Sequence, residues 1–113
     1  MQGLTEPEHS SSQYSLETID SREICREALT QWGEQAQITM VFEEMAELQK
    51  ELCKYLRGKD VTEAIAEEIA DVELMLEQMK LLFNIEEQVE DVKRCKLMRL
   101  SQRLATTEAE TMR

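Results

Sequence analysis

Apolar positions step along much of this chain at intervals of three and four. Between residues 34 and 57, Ile38, Val41, Met45, Leu48, Leu52 and Tyr55 recur at that spacing. Such a rhythm winds them into one stripe of an amphipathic helix. Residues 61–83 repeat the pattern with Ile65, Ile69, Val72, Leu76, Met79 and Phe83. A fourth helix is expected over residues 86–104, with Val89, Val92, Leu97, Leu100 and Leu104 inside. A shorter one is expected over residues 15–31, where Ile19, Ile24, Cys25 and Leu29 make a brief apolar face.

The breaks between these segments carry the right residues. Gly33 separates the first two helices, and Gly58 suits the left-handed position after a helix end. Lys54 and Arg57 lie where cations complement the negative end of the helix dipole. Asp60, three before Glu63, reads as the start of the third helix in the manner of a capping box. Asn84 is expected to end that helix in a left-handed conformation. The link RGKD is so short that the second and third helices must fold back as an antiparallel hairpin. The expected fold is all-α, a four-helix bundle. Either the first helix or a second subunit completes it, and stripes this wide in so small a chain favour a homo-oligomer, a dimer or tetramer.

Composition supports the same class. Of 113 residues, 42% are hydrophobic and 33% charged, with only 3 Gly, 1 Pro and 4% aromatics. Strand formers and turn residues are scarce, and good helix formers dominate. The length fits one domain. Residues 1–15 hold the sole Pro and His and three consecutive Ser, and read as a flexible tail. The helical domain is expected over residues 16–105, and residues 106–113 as a frayed tail.

Charge and cysteines narrow the class of function. A net charge of −11 repels nucleic acid and anionic membranes. It leaves room for a phosphate substrate where a divalent cation reverses the local sign. No apolar run approaches the ~20 residues that span a bilayer, and the first residues lack the basic start and apolar core of a signal peptide. Cys25, Cys53 and Cys95 are widely spaced, with no pattern for zinc or a disulfide framework. Free thiols and a cytoplasmic location are expected.

Beside the apolar stripe of the second helix, Gln37, Met40, Glu44, Glu47 and Glu51 share a face. On the third helix Glu68, Asp71, Met75 and Gln78 do the same. The hairpin can bring the two faces together, so that Glu44 and Glu47 oppose Glu68 and Asp71. Converging carboxylates repel one another unless a cation joins them. An all-oxygen set suits Mg²⁺, with Mn²⁺ as a substitute. A di-iron bundle would need Glu-x-x-His pairs, and the only His is His9. With 24 acidic residues in the chain, an isolated ExxE is also an ordinary solvated face. The pairing of two such motifs on opposed helices is what favours a metal.

The stretch FEEMAELQKEL, followed by AEEIADVELML, resembles the signature of the MazG-like all-α nucleoside triphosphate pyrophosphohydrolases. Glu44-x-x-Glu47 precedes Glu68-x-x-Asp71, with the doubled acids Glu43–Glu44 and Glu67–Glu68 and the upstream WGEQAQ also similar. The resemblance covers roughly residues 30–104. It implies that Glu44, Glu47, Glu68 and Asp71 hold Mg²⁺. It also implies cleavage of a nucleoside triphosphate between the α and β phosphates, giving the monophosphate and pyrophosphate. Glu43, Glu51 and Glu67 are candidates for a base. Lys93, Lys96 and Arg99 on the late helix are placed to meet phosphates, or simply to complement the helix end. The family pattern often has an Asn nearby, and this chain has none after Asn84. Trp32 and Gln37 are candidates for the base and sugar, or for core and surface roles. The competing expectation is a non-catalytic helical dimer that serves as a protein-interaction module.

Overall fold

The computed structural model describes residues 19–112. Four helices follow one another: α1 (Ser21–Trp32), α2 (Glu34–Leu56), α3 (Thr62–Phe83) and α4 (Glu86–Thr111). Among the described residues there is no strand, so the all-α expectation holds. The tail expected over residues 1–15 lies outside the described residues.

Local chemistry explains the helix ends. Asp20 caps α1, its carboxylate accepting from the backbone N–H of Arg22 and Glu23. The helix therefore starts at Ser21, later than the apolar pattern predicts. Gly33 alone separates α1 from α2, at φ 92°, where a Cβ would be strained. Gly58 is at φ 90°, and Lys59 N–H returns to the carbonyl of Lys54 across the end of α2. Asn84 adopts the left-handed conformation at φ 57° and ends α3 as expected.

Two further expected ends differ. The N-cap of α3 is Val61, with no side-chain cap bond. Asp60 lies one residue too early for a capping box and instead accepts from the Thr62 hydroxyl at 3.4 Å. At the other end, α4 runs on past residue 104 to Thr111. The segment ATTEAET holds no helix breaker, and the hydroxyls of Thr106 and Thr111 donate back to carbonyls one turn earlier.

The α2–α3 hairpin closes on its polar side, so the two faces that carry the acids meet as expected. The buried residues of α2 are Gln37 and Glu51, and those of α3 are Met75 and Gln78. Gln37 Nε2 donates to Gln78 Oε1 at 2.7 Å, which sets the register. In antiparallel helices Met40 then falls opposite Met75, Glu44 opposite Asp71, and Glu51 opposite the small Ala64. Each member of the apolar stripes is one residue on from this seam. That one-residue advance turns both stripes to the same side of the hairpin. None of their residues is buried, and Met45, Leu52, Tyr55, Ile69, Leu76 and Phe83 are 41–59% exposed.

Helix α1 packs chiefly on α3 and buries Cys25. Arg22 pairs with Glu86 and so ties α1 to the first turn of α4. Beyond that turn α4 leaves the body. Only Glu86 and Val89 of α4 are half-buried, and among the described residues α4 packs on no helix but α3. The radius of gyration, 19.3 Å, reflects this projecting arm, since a compact chain of 100 residues has about 13 Å. No helix among the described residues is long and apolar enough to cross a membrane.

Candidate metal centre and adjoining cleft

The seam of the hairpin delivers the acidic cluster. Glu44 comes from the middle of α2, and Glu68 and Asp71 from successive turns of α3. One carboxylate oxygen from each lies within 4.8 Å of the others. Neighbouring oxygens held by one Mg²⁺ at about 2.1 Å are about 3 Å apart, so the three carboxylates would have to draw closer to share one ion. Glu68 Oε1 is buried and receives no hydrogen bond. A carboxylate oxygen withdrawn from water with no donor is costly, and a cation is the partner that such an oxygen fits.

Electrostatics agree with the geometry. Burial pushes the Glu68 carboxyl above the usual carboxylate range, and the charges of Asp71, Glu47, Glu51 and Glu67 add to the shift. Glu44 is raised in the same way, first by burial and then by Asp71, Glu68, Glu47 and Glu43. Both groups thus lie in a field that disfavours a second negative charge.

The structure gathers three of the four expected ligands. Glu47 is one turn along α2 from Glu44 and is close enough to raise both neighbours. Its own carboxylate, half-exposed, pairs with Lys50 at 3.4 Å. Glu51 is buried and held by Lys54 at 3.2 Å, so it is not free to act as a base. Glu43 and Glu67 are both exposed. Glu43 stands on the rim of a cleft beside the cluster.

That cleft, 1080 Å³ in volume, opens between the start of α2 and the latter part of α3. Its walls are mostly apolar, with Met40 and Met75 next along the seam from the acids and Trp32 at the elbow between α1 and α2. Trp32 is 63% exposed, so it is not the core residue that a lone Trp often is. The hydrogen-bonded amides of Gln37 and Gln78 also line it. Sequence reasoning placed Gln78 on this face but gave it no role. The signal was present: it continues the row of Glu68, Asp71 and Met75, and mirrors Gln37 about the hairpin turn.

The basic residues are not brought to this site. Lys93, Lys96 and Arg99 are exposed on the projecting part of α4, and none of them lines the cleft beside the acids. Lys93 pairs with Glu90 at 3.6 Å. Lys96, Arg99 and Arg103 share a face around Leu100 and pair with no carboxylate among the described residues. Comparisons with protein-family models, curated proteins and solved structures find no match to this chain.

Proposed function

We propose that this protein is a Mg²⁺-dependent pyrophosphohydrolase of nucleoside triphosphates, acting as a homo-oligomer. The observation that carries the reading is the buried, donorless Glu68 oxygen among carboxylates from two helices, next to an apolar cleft large enough for a nucleoside. An acidic surface patch has no use for such burial, whereas a phosphate-binding cation site does. The resemblance of residues 30–104 to the MazG-like enzymes points the same way.

Glu44, Glu68 and Asp71 would hold the metal, with Glu47 joining after release from Lys50. A bound Mg²⁺ supplies charge neutralisation for the phosphates and lowers the pKa of a coordinated water. Trp32, Met40 and Met75 exclude water around the base, and the Gln37–Gln78 pair presents amide groups to its polar edge. Glu43, on the cleft rim, is better placed than Glu67 to take a proton from the attacking water. The water oxygen adds to the α phosphorus, and pyrophosphate leaves with the β and γ phosphates, giving the nucleoside monophosphate. Most of the rate comes from positioning and electrostatics.

The test is direct. The purified protein is incubated with each common NTP and dNTP, dUTP included, with Mg²⁺ or Mn²⁺, and pyrophosphate and monophosphate are assayed. Release is expected for at least one nucleotide, and Glu68→Gln is expected to lower it by about a hundredfold or more. Absence of release from every nucleotide, together with absence of Mg²⁺ binding by calorimetry, would sink the proposal in favour of a non-catalytic interaction module.

A further inference from the structure

The two amides at the end of the cleft away from the acids are buried, yet one of their oxygens is unclaimed. Gln37 is 5% exposed and Gln78 8%. Gln37 Nε2 donates to Gln78 Oε1 at 2.7 Å, and Gln78 Nε2 donates to the thioether of Met75 at 3.8 Å. A thioether accepts and never donates, so it holds the nitrogen of Gln78 toward itself and the oxygen toward Gln37. Without it the pair could reverse, each amide turning over and donor becoming acceptor. With that polarity fixed, Gln37 Oε1 is left without a partner among the described residues. Glu68 Oε1 is the one side-chain oxygen among the described residues that is both sealed and unpartnered. Gln37 Oε1 therefore keeps an opening, and the opening is the cleft that Gln37 lines.

We infer that this cleft selects nucleotides whose base carries an amino group at the edge away from the sugar, cytosine and adenine, and that Gln37 Oε1 is the atom that reads it. Gln37 lies seven residues before Glu44, and Gln78 seven after Asp71. Two helical turns, about 10 Å, therefore separate the amides from the acids. Met40 and Met75 fill the interval as apolar walls. The placing of phosphates at the acids rests on the pyrophosphohydrolase reading, and it leaves the base between the methionines with its tip at the amides. In a pyrimidine the group at that tip is the substituent of C4, opposite the ring nitrogen that bears the sugar. In a purine it is the substituent of C6. Cytosine and adenine carry an NH₂ there, which donates to Gln37 Oε1. Uracil, thymine, guanine and hypoxanthine carry an oxygen, which sets two acceptors against each other where little water enters. A buried polar atom that needs its partner rejects an analogue lacking it far more strongly than an apolar wall rejects a wrong shape.

The experiment is calorimetric titration of the full chain, in Mg²⁺, with 5′-monophosphates in two matched pairs: CMP with UMP, and AMP with IMP, in ribose and deoxyribose forms. Each pair keeps the ring and exchanges the amino group for an oxygen. The amino member is expected to bind about tenfold tighter or more. Gln37→Leu removes the reading oxygen and is expected to bring each pair to parity. Met75→Leu keeps the apolar wall and frees the amides to reverse. It is expected to narrow the preference several-fold, whether or not Gln37→Leu folds. Equal or tighter binding of the oxo member, no binding of any monophosphate, or a preference undiminished in the folded variants overturns the inference. Turnover is not measured, so the two readings fail separately. Selective binding without hydrolysis of any triphosphate would retire the enzyme, and hydrolysis without selectivity would retire the amino-base reading alone.

Discussion

Glu44 and Glu68 hold their protons more tightly in the folded chain than ordinary carboxylates do. A carboxyl with a raised folded pKa binds its proton at a higher pH when folded than when unfolded. Across that window folding takes up protons, and stability falls as pH rises. The metal-free protein should therefore melt at a higher temperature near about pH 5 than near pH 7.5. Mg²⁺ should raise the melting temperature more at the higher pH, where the carboxylates are charged. In Glu68→Gln the pH slope should flatten and the Mg²⁺ effect vanish. Scanning calorimetry at both pH values checks this, and a metal-free protein that only loses stability toward pH 5 would contradict it. The residue types of the cluster were legible in the sequence, because spacing of three and four assigns a helix face. The diversion of Glu47 to Lys50 was not, since spacing leaves side-chain torsions open.

At the scale of elements, the amide pair across the seam is the register pin of the hairpin. Gln37 is buried to 5% exposure and Gln78 to 8%, so removal of one leaves the other with little water in place of its partner. Gln78→Leu should cost about 1–3 kcal/mol, the penalty of one stranded buried amide. Gln37→Leu combined with Gln78→Leu should cost less than the two single changes added together, because no polar group is then left unpaired. Urea denaturation of the four proteins measures the coupling. Helix number, type and most ends followed from periodicity and from Gly33, Gly58 and Asn84. The start of α1 lay in a signal that was passed over, the Asp20 cap followed by Glu23 three residues later. The inward face of the hairpin was legible in its polar rows, whereas the cover of the apolar stripes was not, for a physical reason. An apolar stripe states that a face will be covered, and says nothing about whether its own chain or another covers it.

At the scale of the whole molecule, the proposed homo-oligomer would cover the bare apolar rows of α2 and α3 and make stability depend on amount. A chain stabilised by association melts at a temperature that rises with its concentration. Raising the protein from about 1 to about 100 µM should lift the melting temperature by several degrees. Leu76→Glu, on the uncovered face, should abolish that dependence while the far-ultraviolet spectrum of a helical protein persists. An unchanged melting temperature across that range in the unaltered protein would mean that the face stays bare in solution. The overall architecture was legible as four helices, whereas the departure of α4 from the body was not. Its apolar residues look the same in the sequence whether they meet their own hairpin or a neighbour's.

The elbow at Gly33 leaves the chain's single indole at the mouth of the cleft. Optically this gives the protein one lamp, placed where a visitor would enter. Excitation near the red edge of ultraviolet absorption lights Trp32 and nothing else, so the emitted colour reports the wetness of that one spot. Any flat solute sliding over the ring dims it, and the dimming reads occupancy in real time, without dye, label or chemical turnover.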